Sequence, residues 1–196
     1  YPDYALSLAV KIAGVAIERG LDILHVHYAL PHATSAFLAR QLMEGKKVPV
    51  VTTLHGTDIT LVGRDPSYYR IVKFSIEQSD GITAVSHALK KQTCCQFGIE
   101  KPIEVIYNFF IPKRVLLGKK PLRHLFVSGK QKLLVHSSNY REVKRPEDLV
   151  RIFKIVREAV DCRLLLVGSG SGLDAVRAQV NGENLQNDVV FLGKNL

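Results

Sequence analysis

The sequence predicts an α/β protein made of two doubly wound, parallel-sheet units. Three observations lead there. Short apolar runs rich in Val, Ile, Leu and Thr alternate with stretches of helical periodicity along nearly the whole chain. The apolar runs are close to continuous, as in parallel strands covered on both faces. The alternation stops once, in a basic segment near residues 112–130, and then starts again. This predicts a first unit over 1–112, a connector over 113–130 and a second unit over 131–196.

Each element has its own signal. Tyr4 to Arg19 places Leu6, Val10, Ala13 and Ile17 at helical spacing and meets a stop signal at Gly20. "LDILHVHYA" reads as a short strand, and Thr34 to Met43 as a helix closed near Gly45. "VPVVTTLHG" is a second strand, "YYRIVKFSIEQSD" an amphipathic helix and "GITAVS" a third strand. "HALKKQTCCQFG" is a helix stopped by Gly98, and "IEVIYNF" a fourth strand. Beyond the basic segment come strand "KLLVHSS", helix "RPEDLVRIFKIVREAV", strand "CRLLLVGSG", helix "GLDAVRAQVNG" and strand "DVVFLG". Open doubly wound sheets normally begin with a strand and a Gly-rich turn, whereas this first unit begins on a helix. Both units are therefore expected to be incomplete.

Bulk composition narrows the classes. The chain has 196 residues, 46% hydrophobic and 23% charged, which is ordinary globular composition. No apolar run approaches the roughly 20 residues of a membrane span. There is no basic segment leading into an apolar one at the N-terminus, so no signal peptide is expected and the expected location is cytoplasmic. Cys94, Cys95 and Cys162 form no disulfide framework and no Cys/His metal spacing, as befits free thiols in a reducing compartment. The net charge is +9. Lys113, Arg114, Lys119, Lys120, Arg123, Lys130 and Lys132 crowd residues 112–132, but without the aromatic interleaving that stacks bases, so a solvated basic connector is expected over nucleic-acid binding.

In open parallel sheets, ligands sit beyond the carboxyl ends of the strands. The first strand carries His25 and His27 on one face at period 2. This is a conceivable metal pair without a third ligand nearby, or two hydrogen-bonded histidines. Tyr28 and His32 follow. After the second strand, "TLHGTD" supplies Thr53, His55, Gly56, Thr57 and Asp58, with Gly56 suited to a positive φ or a close backbone approach. After "KLLVHSS" come Asn139, Arg141 and Lys144, with Pro146 at the first helical position. Arg offers a planar fork for phosphate oxygens and Lys a mobile point charge. The pair reads either as a diphosphate site or as a surface turn paired to Glu142, Glu147 or Asp148. Gly168, Gly170 and Gly172 after "LLLV" lack the G-x-G-x-x-G form, so they mark a ligand approach or a tight turn.

Taken in order, "DILHVHYALPHATSAFLA", "VPVVTTLHGTDITLVG", "KFSIEQSDGITAVSHALKKQT", "IEVIYNF" and "SSNYREVKRPEDLVRIF" resemble the retaining family-4 glycosyltransferases of GT-B architecture. Within that family they are similar to the branch that joins N-acetylglucosamine to L-malate in bacillithiol biosynthesis. The resemblance implies UDP-GlcNAc (UDP-N-acetylglucosamine) and L-malate as substrates, the UDP-sugar being a substrate and no cofactor, with no metal required. It implies that Arg141 and Lys144 hold the donor diphosphate, that His55 contacts the donor sugar near the reacting carbon, and that Asn139, Gly168 and Gly170 lie by the nucleotide and sugar. Tyr28, Thr52 and Thr57 fall where an acceptor would lie, and Arg70 and Lys73 are candidates for the malate carboxylates. The family's Gly-rich loop and downstream acidic motif fall outside Tyr1–Leu196, and "NFFIPKR" and Tyr107 depart from its pattern. Other acceptors, such as an inositol phosphate or a lipid, a non-catalytic nucleotide-sugar binding module, and homo-oligomerisation all stay open.

Overall fold

The structure, a computed structural model, describes residues 2–45, 47–111 and 122–193. The chain divides into two compact units, Tyr1–Ile111 and Pro112–Leu196.

In the first unit, α1 (Pro2–Glu18) precedes β1 (Leu24–His27), α2 (Thr34–Leu42), β2 (Val50–Leu54), the single turn α3 (Thr57–Thr60), α4 (Pro66–Glu77), β3 (Gly81–Ala84), α5 (His87–Phe97) and β4 (Ile103–Val105). The four strands are parallel in the order β1-β2-β3-β4, with His27 opposite Thr53 and Leu54 opposite Ala84. Local chemistry sets the helix ends. Asp65 accepts the Ser67 N–H at the start of α4, with Pro66 at its first position. Ser86 accepts the Leu89 N–H at the start of α5, and Gly98 closes that helix in the left-handed region.

One face of this sheet is closed. Leu54, Ile82, Ala84 and Ile103 pack with Val72 and Ile76 of α4 and with Leu89 and Phe97 of α5. Leu24 and Val50 join Ala9, Ala13 and Ala16 of α1 and Ala36 and Ala39 of α2, whose small side chains let the two helices approach closely. Each fully buried Ile or Phe here contributes about 1.5–3 kcal/mol. The strand sequences lead one to expect burial on both faces. β1, β3 and β4 instead alternate, while β2 is buried along most of its length, and the second face carries His25, His27, Thr53, Thr83 and Glu104. Sequential strand order with right-handed crossovers accounts for this, because it puts every crossover helix on the same side. The fourth strand is shorter than its apolar run. It ends at Val105, and Tyr107, Phe109 and Phe110 are exposed.

The second unit contains β5 (Lys132–Ser138), α6 (Pro146–Ala159), β6 (Cys162–Gly168), α7 (Leu173–Gly182) and β7 (Val189–Leu192), with parallel strands in the order β5-β6-β7. Tyr140, Val150, Phe153, Leu164, Leu166, Val176 and Val180 form its core. Of the basic stretch 113–130, residues 113–121 lie outside the described residues. The described remainder packs into this unit: Val127 is buried, and Arg163 donates to the Phe126 and Asn187 carbonyls at 2.7 and 2.8 Å.

Candidate functional site

In the first unit the carboxyl ends of β1 and β2 build one polar cluster. The Tyr28 N–H donates to the Thr53 carbonyl at 2.8 Å, extending the ladder one residue past β1. Tyr28 then adopts φ 75°, rare for a non-glycine residue, and the chain turns sharply into the kinked segment Ala29–Ala33. Across from it, Gly56 at φ 118° turns β2 into α3, a conformation that a side chain would strain. One buried carboxylate ties the two turns together. Asp58, 1% exposed, accepts the Ala29 N–H at 3.0 Å and the Gly56 N–H at 2.9 Å. Both donors are loop amides with no helix or strand partner, and the Asp58 carboxyl oxygens satisfy them.

This clamp brings four aromatic side chains together. The His27 Nδ1 and His55 Nε2 atoms lie 2.9 Å apart, and the Tyr28 ring stands 5.0 Å from the His55 ring. His32 Nδ1 donates to the His27 carbonyl. On the open sheet face, His25 Nε2 meets Thr53 Oγ1 at 2.8 Å, and Thr53 meets Thr83 Oγ1 at 2.7 Å, a chain across three strands. Partial burial and then the His25, His55 and His32 imidazoles lower the His27 pKa below the ordinary histidine value. Among the described residues, no group of three or more His, Cys, Asp or Glu is arranged to hold a metal ion.

In the second unit, β5 and β6 end in register, Ser138 opposite Gly168. The loop after β5 passes through buried Tyr140, makes a tight turn over Glu142–Lys144 and reaches Arg145 at φ 49°, which caps α6 ahead of Pro146. The glycines after β6 lie directly against this loop. A Cβ on Gly168 would sit 2.0 Å from the Ser138 carbonyl oxygen, one on Gly170 would sit 1.7 Å from the Asn139 carbonyl oxygen, and one on Gly172 would sit 2.7 Å from that of Tyr140. The Gly172 N–H donates to the Tyr140 carbonyl at 2.8 Å, which joins the two loops. Of the acids that could neutralise the basic turn, Asp148 is taken by Arg145 and Arg151. Among the described residues, Arg141 and Lys144 are exposed and form no ion pair. Two unneutralised cations therefore stand at a strand carboxyl end, beside the N-terminus of a 14-residue helix, an arrangement that favours an anion.

The glycosyltransferase family 4 model matches residues 1–114. The chain belongs to glycosyltransferase family 4. It is 46% identical to the N-acetyl-alpha-D-glucosaminyl L-malate synthase of Bacillus anthracis, over 99% of this chain and 51% of that protein. It is 24% identical to an uncharacterized glycosyltransferase of Methanocaldococcus jannaschii, over 93% of this chain and 49% of that one. The chain thus spans about half the length of these curated relatives. Among solved structures, HepE of Anabaena in complex with UDP and glucose aligns with a TM-score of 0.77 at 19% identity, covering 94% of this chain and 50% of that one. The lipopolysaccharide outer core galactosyltransferase WaaB aligns with a TM-score of 0.60 at 18% identity, covering 97% of this chain and 49% of that one. These likenesses show the GT-B fold.

In this family-4 chain, the structure groups some of the expected residues and separates others. His55, Tyr28 and Thr57 stand at one strand-end cluster, while Asn139, Arg141, Lys144, Gly168 and Gly170 stand at the other. Thr52 is a correction. It is 0% exposed and its hydroxyl is bonded to Ser79 Oγ at 2.7 Å, so it faces the helices and cannot meet an acceptor. The register that pairs His27 with Thr53 puts Thr53, not Thr52, on the histidine face. Lys73 is also displaced from the cluster. Its ammonium pairs with Glu77 at 3.6 Å and lies beside Gly98, at the far end of α5 from β3's carboxyl terminus. Arg70, one turn earlier on α4, is exposed and unpaired among the described residues. The neighbouring backbone accounts for the glycines at these positions. Asp58 was not anticipated as the clamp, because its partner Ala29 lies 29 residues away in the chain.

Proposed function

We propose that this chain is part of a retaining glycosyltransferase that moves N-acetylglucosamine from UDP-GlcNAc to L-malate, the reaction that opens bacillithiol biosynthesis. The observation that carries this reading is the Arg141/Lys144 pair, which forms no ion pair among the described residues, at the carboxyl end of β5 in a chain 46% identical to an N-acetyl-alpha-D-glucosaminyl L-malate synthase. A free fork and a free ammonium beside a helix N-terminus suit a diphosphate, whose charge grows as it leaves.

In the proposed step the malate hydroxyl oxygen forms a bond to the sugar's anomeric carbon. The bond from that carbon to the diphosphate oxygen breaks, and its electron pair stays on the phosphate. The hydroxyl proton passes to the departing phosphate on the same face of the sugar, so configuration is retained and no separate enzyme base is assigned. Arg141 and Lys144 neutralise the leaving group, and no metal is assigned to that task. His55 contacts the donor sugar, Asn139 and the Gly168–Gly170 turn frame the nucleotide side, and Tyr28, Thr57 and Arg70 serve the acceptor. The test is to incubate the full-length protein with UDP-α-GlcNAc and L-malate and to read the product's anomeric proton by NMR. An α-linked GlcNAc–malate is expected. A β-linked product, or a product on another hydroxyl compound with malate ignored, would contradict the reading.

A further inference from the structure

His27 is the last residue of β1, and nothing so far gives it a task. Its ring packs 4.7 Å from that of His25 and 5.1 Å from that of His55. Its Nδ1 lies 2.9 Å from His55 Nε2. Two imidazoles can share that contact only with a single N–H between them. His55 Nε2 is thereby occupied, and among the described residues His55 Nδ1 has no hydrogen-bond partner. The backbone beneath the ring is held on both sides. The His27 carbonyl accepts from His32 Nδ1, and the next residue, Tyr28, donates to Thr53. A carbonyl only accepts, so His32 carries its proton on Nδ1, and its Nε2 faces the Tyr4 hydroxyl at 3.5 Å.

We propose that His27 is a positioning residue for the transfer: it fixes the ring orientation of His55 and couples its tautomer to that of His27, so that His55 meets the donor sugar through Nδ1. This rests on the reading of His55 as the donor-sugar contact. His27 stands on the open face of the sheet and His55 in the loop after β2, both outside the apolar core, so their pairing orients a ring more than it stabilises the fold. The pair survives while either ring is neutral. Only when both are protonated do two N–H groups oppose each other. The titratable groups facing it are His25 on β1, His32 and Tyr28 in the following turn, and Tyr4 on α1. Partial burial, then the His25, His55 and His32 imidazoles, lower the His27 pKa, which favours the paired form.

The test uses the full-length protein with ¹⁵N-labelled histidine, comparing wild type with His27→Phe and His27→Asn. The imidazole nitrogen shifts of His55 report its tautomer without any turnover. The His55 tautomer ratio is expected to shift in His27→Phe relative to wild type and to return toward the wild-type ratio in His27→Asn, whose amide occupies roughly the place of Nδ1. In turnover, His27→Phe is expected to lower kcat by about tenfold or more, as small misplacements of a positioned group do. UDP affinity, which depends on the other unit, stays unchanged, and His27→Asn recovers most of the rate. An unaltered His55 tautomer and kcat in His27→Phe would overturn the proposal. If His55→Ala turns over like wild type while the tautomer still responds to His27, the reading of His55 itself is what fails, and the positioning role falls with it.

Discussion

Replacing Gly170 with alanine tests the junction on which the diphosphate side depends. The added Cβ would lie 1.7 Å from the Asn139 carbonyl oxygen, 2.5 Å from its carbon and 3.0 Å from the Tyr140 carbonyl carbon. All three are backbone atoms, so no side chain can rotate away. Ordinary contact begins near 3.4 Å, and the two loops must therefore separate by about 1.7 Å. That movement breaks the registry of the loop carrying Arg141 and Lys144 with the start of α7. Overpacking of this kind costs about 1–3 kcal/mol, and the displaced cations are expected to bind a diphosphate about tenfold or more weakly, the loss of about one charged hydrogen bond. The assay is urea denaturation together with a UDP titration of the full-length protein. Gly14→Ala is the control. Gly14 lies in the middle of α1 with nothing within 4 Å of an added Cβ, so that change is expected to stabilise by about 0.5–1 kcal/mol. A Gly170→Ala protein with wild-type stability and wild-type UDP affinity would refute the argument.

Other consequences are equally direct. Arg141→Ala is expected to weaken UDP binding by about 1–3 kcal/mol in a folded protein, measured by calorimetry, because among the described residues no acid pairs with that guanidinium. Asp58→Ala leaves the Ala29 and Gly56 amides without their acceptor and is expected to destabilise by about 3 kcal/mol in chemical denaturation. Thr52→Val removes a buried hydroxyl bonded to Ser79 and is expected to cost about 1 kcal/mol of stability while leaving the KM for L-malate unchanged. The lowered His27 pKa means that the unfolded chain binds more protons at this site than the folded one. Its contribution to stability is then present above the ordinary histidine value of 6.5 and is lost as pH falls below it. Thermal melts between about pH 8 and 5 should fall less steeply for His27→Asn than for wild type.

The fold was legible because its signals are local. Pro146 at a helix start, Gly98 at a helix end and the Val/Leu-rich strands mark most boundaries without reference to partners. The strand-end residues His55, Arg141 and Lys144 were legible for a related reason, since a parallel sheet tells where its carboxyl ends must be. What escaped the sequence depends on pairs far apart in the chain. Thr52 and Thr53 look alike until the register with β1 decides which one shares a face with His25 and His27. Asp58 looks like a loop acid until its partner at Ala29 comes into view. The Gly168–Gly172 run suggests a ligand approach, and only the loop after β5 shows what fills the space. Lys73 shares α4 with Arg70, and its orientation toward Glu77 and Gly98 follows from packing that no periodicity encodes.

The measurement that tests the central claim most directly is UDP release by the full-length protein from UDP-GlcNAc, with and without L-malate. The account predicts release that depends on malate and collapses in Arg141→Ala. Release indifferent to malate, with UDP still bound, would contradict malate as the acceptor.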